Sequence, residues 1–265
     1  MGVVNATPDS FSDGGRFLDP ATAVAHALRL AEEGADILDV GGESTRPGAD
    51  DVLASEEIAR AVPVIDGVIK AGCAAAISID TRKPEVARAA IAAGASIWND
   101  VTALTYGPDS LETAAALGCD VVLMHAQGDP KTMQKDPRYD DVVEDVYAWL
   151  ARRIEACVKA GVAETRLIVD PGVGFGKTLD HNLALLANLS RFCGLGRPVL
   201  LGASRKRFIS AVDRDVPPAE RLGGSLAAVL GGLARGASIF RVHDVAATRQ
   251  ALTVASAIEN PDFPR

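Results

Sequence analysis

Residues 91–100 read I-A-A-G-A-S-I-W-N-D: the end of an Ala-rich helical stretch, a glycine, a short apolar run and a polar finish. Glycine after a helix suits the left-handed position that ends it, and an apolar run that does not alternate suits a parallel strand buried on both faces. The pattern recurs as A-E-E-G-A-D-I-L-D-V at 31–40, I-K-A-G-C-A-A-A-I-S-I-D at 69–80 and A-A-L-G-C-D-V-V-L-M-H at 115–125. It returns again as V-K-A-G-V-A-E-T-R-L-I-V-D at 158–170 and L-A-R-G-A-S-I-F-R-V-H at 233–243. Each copy is one helix-to-strand step. Two further strands fit without the glycine, Gly2 to Val4 and Pro198 to Gly202, the latter after a Gly-Leu-Gly turn.

Eight strands alternating with helices predict an α/β fold with right-handed crossovers, and eight is the number that closes a single (β/α)8 TIM barrel. The chain of 265 residues matches the roughly 250 that one such barrel needs, so residues 1–265 are expected to form a single domain. A doubly wound open sheet is the alternative, but no G-x-G-x-x-G follows the first strand.

Hydrophobic residues at 48% and charged residues at 23% allow a sizeable core without metals or disulfides. The net charge of −8 comes with no run of Lys or Arg and only 5% aromatics, which argues against nucleic acid or a membrane surface as partner. A few basic residues converging in one cleft can still bind an anion. Cys73, Cys119, Cys157 and Cys193 form no C-x-x-C pair and are expected to be packing residues. The first residues already read as a strand, and no apolar run approaches the roughly 18 residues that span a bilayer. The cytoplasm is the expected location.

In a barrel of this kind, function sits where strands end and the following loops begin. The residues there are Asn5, Asp39 with Glu43, Asp80, Asn99 with Asp100, His125, Asp170, Ser204-Arg205-Lys206, and Arg241 with His243. Burying so many polar groups by accident would cost a few kcal/mol for each one left unpaired. One shared site explains them better, with Asp39 and Asp100 expected to orient loops. Two long loops, residues 6–16 and the one beginning at Glu43, are rich in Gly, Pro, Ser and Asp and are expected to close over substrate.

Asp80, Asn99 and Asp170 offer acceptors, and the amide a donor as well, suited to a flat heterocycle bearing several N–H groups. Lys206 and Arg241 add donors, and Met124 and Phe175 could form apolar walls. Strand eight neighbours strand one in a closed barrel, so Arg241 and His243 lie beside Asn5, whose amide can ligate a hard cation. That group suggests a phosphate or diphosphate with Mg2+, although Arg241 could instead pair with a carboxylate. The stretch D-P-G-V-G-F-G-K at 170–177 lacks the P-loop pattern and reads as a tight turn presenting Asp170 and Phe175 inward.

The chain resembles the dihydropteroate synthase family over essentially its whole length. The resemblance rests on N-A-T-P-D-S-F-S-D-G-G at 5–15, D-V-G-G-E-S-T-R-P-G-A at 39–49, S-I-D-T-R-K-P-E-V at 78–86 and W-N-D-V at 98–101. It continues through D-P-G-V-G-F-G-K-T at 170–178, G-A-S-R-K-R-F at 202–208 and R-V-H-D-V at 241–245. It implies a transferase that joins 6-hydroxymethyl-7,8-dihydropterin diphosphate to 4-aminobenzoate in folate synthesis, giving 7,8-dihydropteroate and diphosphate. It further implies a pterin site of Asp80, Asn99, Met124, Asp170, Phe175, Lys206 and Arg241, and a diphosphate site of Asn5, Thr45, Arg241 and His243. Phe11, Thr45, Arg46, Pro47, Ser204 and Lys206 would border the aminobenzoate pocket, where sulfonamides compete, and Asn5 and Asp13 would hold Mg2+. Asp170, Lys206, Arg241 and His243 would carry the catalysis, and a homodimer through the later helices is expected. The competing readings are a pterin-dependent methyltransferase, which has no use for a diphosphate subsite, and a non-catalytic pterin-binding paralogue, which would be expected to lose Asp13, Thr45 or Arg46.

Overall fold

The computed structural model describes residues 1–6, 19–44, 51–128 and 133–260. Strands β1 (Gly2–Asn5), β2 (Ile37–Gly41), β3 (Ala76–Asp80), β4 (Ile97–Asp100), β5 (Asp120–Met124) and β6 (Leu167–Asp170) each pair in parallel with the next in the chain. β7 (Leu200–Leu201) and β8 (Ile239–Phe240) form a second parallel pair. Parallel bridges between Val169 and Val199 and between Gly2 and Val242 join the two sets. At these seams Val169 N–H donates to the Pro198 carbonyl at 3.0 Å, Val3 N–H to Val242 at 3.0 Å and Val242 N–H to Met1 at 2.9 Å. The pairing thus runs through all eight strands and back to β1, and the fold is a (β/α)8 TIM barrel.

The six glycines of the repeat all take positive φ, from 59° at Gly118 to 114° at Gly94. The signal that locates the strands is therefore a steric requirement of the turn that precedes each of them. β7 is shorter than the run from 198 to 202 suggests. Pro198 brings no N–H to the ladder, and beyond Leu201 the chain leaves the sheet for the segment that carries Ser204 and Lys206.

The outer ring comprises α1 (Pro20–Glu32), α2 (Ala54–Lys70), α3 (Pro84–Ala92), α4 (Ser110–Leu117) and α5 (Val142–Lys159), then α6 (Leu179–Ala187) with the single turn α7 (Ser190–Cys193). α8 (Arg207–Val212) and α9 (Leu222–Leu233) lie between β7 and β8, and α10 (Val245–Glu259) follows β8. Outward strand residues such as Leu38, Ile79, Trp98, Leu123, Val169 and Leu201 join these helices in the main core. The inward phase begins with a separate apolar plug of Ile97, Val122, Ile168 and Leu200, packed against Met1, Ile37, Ala76 and Ile239. Because side chains alternate along a strand, that phase continues upward as Asp39 and Gly41, Ser78 and Asp80, Asn99, Met124 and Asp170. The non-alternating appearance of the strands thus combines an apolar outer face with an inner face that changes from apolar to polar halfway up.

Glu43 does not join that inner face. Its buried carboxylate meets Lys83 Nζ at 2.9 Å and Arg82 at 3.3 Å, and accepts from the Val52 N–H at 3.0 Å. Lys83 also donates to Glu57 of α2 at 2.7 Å. Burial opposes the lysine's charge, but hydrogen bonds and attraction from Glu57 and Glu43 hold its pKa above the ordinary value. Lys83→Met would leave Glu57 buried without a cation and Glu43 with Arg82 alone. It is expected to destabilise the fold by about 3–5 kcal/mol, read as a lower urea midpoint; an unchanged midpoint would contradict this role.

Candidate active site

The upper inward positions stand in register. Asn5, Gly41, Asp80 and Asn99 are successive neighbours on β1 to β4, and Met124 is paired with Asp170 across β5 and β6. Gly41 adds no side chain between Asn5 and Asp80. Gly202, just past β7, does the same on the other side: a Cβ there would lie 3.8 Å from Asp170 Oδ2, 3.8 Å from Lys206 Nζ and 3.9 Å from Arg241 Cβ. Three charged residues from three strand ends therefore converge over a position kept open by glycine.

Arg241 is clamped by two carboxylates, its Nε donating to Asp39 Oδ2 at 2.5 Å and its Nη2 to Asp80 Oδ2 at 2.7 Å. Burial works against its charge, but Asp39 and Asp80 raise its pKa further above the ordinary value. Asp39 is fully buried and also accepts from Asn99 Nδ2 at 3.2 Å, so one carboxylate orients both an arginine and an amide. Its effect falls on the site itself rather than on the loops the sequence suggests. Asp80 is left half-satisfied, because its Oδ1 is buried without a hydrogen-bond partner. Burial pushes the Asp80 pKa up to about 7, with Arg241 pulling it down and Asp39 adding to the rise.

Asp170 Oδ1 accepts from the Gly172 N–H at 2.7 Å; burial raises its pKa and Lys206 opposes the rise. Lys206 is lowered to about 8 by burial, Asp170 resisting. Its Nζ donates to the Val173 carbonyl and sits 4.5 Å from the centre of the Phe175 ring, within cation–π reach. The turn after β6 does present Asp170 and Phe175 to the same pocket, as its sequence suggests. Its glycines Gly172, Gly174 and Gly176 all have positive φ, and a Cβ on Gly172 would fall 1.8 Å from the His125 carbonyl oxygen.

Ser204 and His243 meet at the mouth, with His243 Nδ1 3.1 Å from Ser204 Oγ and the His243 backbone N–H donating to that oxygen at 3.2 Å. Between Ser204 and Lys206, Arg205 takes a left-handed φ of 58° and is held by Asp244 at 2.9 and 2.5 Å. That reversal lets the residues on either side of Arg205 serve the site.

Two other rim residues stand behind the site. Asp100 follows Asn99 and so faces the opposite way; it accepts from Thr102 N–H at 2.7 Å and Leu104 N–H at 2.9 Å, shaping the loop after β4. His125 likewise faces away from Met124, against Trp149 and Lys177. Phe11, Asp13, Thr45, Arg46 and Pro47 lie outside the described residues. Sequence reasoning missed the partnership of Lys177. Asp39 was half legible, since it shares the inward phase of Gly41, but a lone lysine after a glycine turn carries no periodicity to reveal it.

A barrel mouth holding two buried carboxylates, an amide and two cations in one pocket is the site of a small-molecule enzyme. The family model described as pterin binding enzyme matches residues 1–243. The dihydropteroate synthase of Escherichia coli K12 is 48% identical over 257 residues, covering 97% of this chain and 90% of that protein. The Xanthomonas albilineans dihydropteroate synthase solved with 4-aminobenzoic acid superposes with a TM-score of 0.92 at 53% identity, covering 98% of this chain and 92% of that one. In complex with 7,8-dihydropteroate, the same organism's enzyme gives 0.88 at 50% identity over 98% and 92%. The chain belongs to the dihydropteroate synthases, within the pterin-binding enzyme family.

The Asp80 carboxyl carbon, followed by NMR, is expected to titrate near the raised value of about 7. Arg241→Met should move that midpoint higher, since the arginine favours the carboxylate; a downward move would contradict the clamp. The raised pKa also sets a sign for stability. The folded chain holds a proton that the unfolded chain has lost, so the contribution of Asp80 to stability falls as pH rises through the window between the ordinary and raised values.

Proposed function

We propose that this chain joins 6-hydroxymethyl-7,8-dihydropterin diphosphate to 4-aminobenzoate, forming 7,8-dihydropteroate and releasing diphosphate in folate synthesis. The observation that carries this reading is the unpartnered, buried Asp80 Oδ1 beside Asn99 and Asp170. A buried acceptor left open in a folded protein calls for a donor from a ligand, and the N–H edge of a pterin supplies several. Asp80, Asn99 and Asp170 hold that edge, Met124 and Phe175 flank the ring, and Lys206 reaches it from above Phe175.

The reaction breaks the bond from the pterin methylene carbon to the diphosphate oxygen, and the electron pair leaves with diphosphate. The arylamine nitrogen then forms the new bond to that carbon and gives up a proton. No protein nucleophile is required. Arg241 and His243 steady the departing anion, Asp170 the electron-poor ring and Lys206 both substrates, which is electrostatic catalysis by groups already in place. By the family resemblance, Ser204 would border the aminobenzoate together with Phe11, Thr45, Arg46 and Pro47, and Thr45 would also serve the diphosphate.

Among the described residues no three His, Cys, Asp or Glu side chains converge as a metal site. The chemistry of the place fits Mg2+ all the same, because that ion takes few protein oxygens and completes its shell with water and substrate phosphate. Asn5 at the end of β1, with Asp13, would hold it, and when bound it would neutralise charge on the diphosphate.

The chain is further proposed to act as a cytoplasmic homodimer, with no nucleic acid or membrane partner. Leu230 of α9 and Val254 and Ile258 of α10 are exposed apolar residues on helices that pack on each other, a fitting face for a second copy. Among the described residues no helix is long and apolar enough to cross a membrane.

With Mg2+ present, diphosphate release should require both the dihydropterin diphosphate and 4-aminobenzoate, and dihydropteroate should accumulate in step; release without product, or none at all, would overturn the assignment. His243→Ala should weaken binding of the dihydropterin diphosphate about tenfold while leaving the free hydroxymethyl pterin nearly unaffected. Equal losses would remove the diphosphate role of His243.

A further inference from the structure

Behind the pocket, and outside the chemistry above, Lys177 is a buried ammonium with three acceptors. It lies 2.9 Å from the Phe175 carbonyl, 3.3 Å from the His125 carbonyl and 3.0 Å from His125 Nδ1. While Lys177 is protonated it can only donate, so in that state Nδ1 accepts and the imidazole carries its proton on Nε2. Burial, followed by the charge of Lys177, drives the His125 pKa down to about 3 and keeps the ring neutral. Burial also lowers Lys177 to about 7, Asp170 holding it up and Lys206 adding to the fall.

The three bonds fall where two loops touch most closely. A Cβ on Gly172 would be 1.8 Å from the His125 oxygen, and one on Gly176 2.3 Å from the Gln127 oxygen. Gln134 donates to the Gly174 carbonyl at 2.6 Å and Tyr139 to that of Gly176 at 2.9 Å. The glycine turn is thus laid directly on the segment after β5, with Lys177 inside the seam. One end of the seam is Phe175 itself; the other is His125, the residue after Met124.

We infer that Lys177 is a positioning residue for the pterin: its ammonium ties the backbone beside Met124 to that of Phe175 and so sets the spacing of the pocket's two apolar walls. The inference rests on the proposed pterin site. It assigns a function to a lysine that touches no reacting atom. Met124 and Phe175 flank the pterin alone, so the effect should reach the pterin and spare the amine.

The test is calorimetry of 6-hydroxymethyl-7,8-dihydropterin diphosphate binding, paired with steady-state kinetics. Lys177→Met is expected to weaken pterin binding and raise the pterin KM by about tenfold, while the KM for 4-aminobenzoate stays within about twofold. In a Phe175→Ala background the same change should add little, because both substitutions loosen one wall. If Lys177→Met does not fold, Lys177→Gln, which keeps two N–H donors without the charge, should show the same split in smaller measure. Equal losses for both substrates, or losses that add independently in the double variant, would overturn the inference. A wild-type protein that binds no pterin would overturn the functional reading and the inference together.

Discussion

The clamp of Asp39 and Asp80 on Arg241 is the interaction on which the site depends. Three charges taken out of water gain little net stability, since desolvation offsets most of their attraction, whereas losing one partner of such a buried group costs about 3–5 kcal/mol. The clamp is therefore better understood as a device for position. Asp39 lies below the mouth and touches both Arg241 and Asn99, so one fully buried carboxylate fixes two residues of the pocket. Asp80 shares Arg241 through one oxygen and keeps the other open. An empty pocket with every acceptor satisfied would have to break bonds in order to bind; this one has an acceptor in waiting.

The barrel makes that arrangement possible by dividing its interior by height. Ile97, Val122, Ile168 and Leu200 fill the lower part as an apolar plug, which removes any pore and gives the polar layer a dry floor. In that low-dielectric setting Asp80 rises to about 7 while Lys206 and Lys177 fall to about 8 and 7. The site's carboxylic acid and its lysines are thus drawn towards neutral pH from opposite sides. Gly41 and Gly202 keep the space above the plug open, and the reversal at Arg205 directs Ser204 and Lys206 to its edge.

Most of the fold was legible because its punctuation is steric. The glycine that ends each helix needs a left-handed backbone, and six of the eight strands follow one. The two strands without that signal, β1 and β7, each begin one of the two ladders that the bridges join. Phase was harder to read than position. Strands buried on both faces show no alternation, so nothing in the sequence separates Asn99, which faces the pocket, from Asp100, which braces a loop. Glu43 and His125 were drawn to the rim for the same reason, and each proved to serve a lysine, Lys83 and Lys177, whose burial no linear pattern reveals. Phe11, Asp13, Thr45, Arg46 and Pro47 were read from the family resemblance and lie outside the described residues.

In the proposed complex Asp80 receives N–H donors from a pterin as a carboxylate, whereas in the empty protein burial lifts its pKa to about 7 and leaves it part-protonated near neutral pH. Calorimetric titration of the protein with the pterin substrate in two buffers of different ionisation heat, at a pH near the Asp80 pKa, tests this most directly. The expected result is a buffer-dependent heat that corresponds to net proton release on binding and disappears in Asp80→Asn. A binding heat independent of buffer, or a proton release that survives in Asp80→Asn, would contradict it.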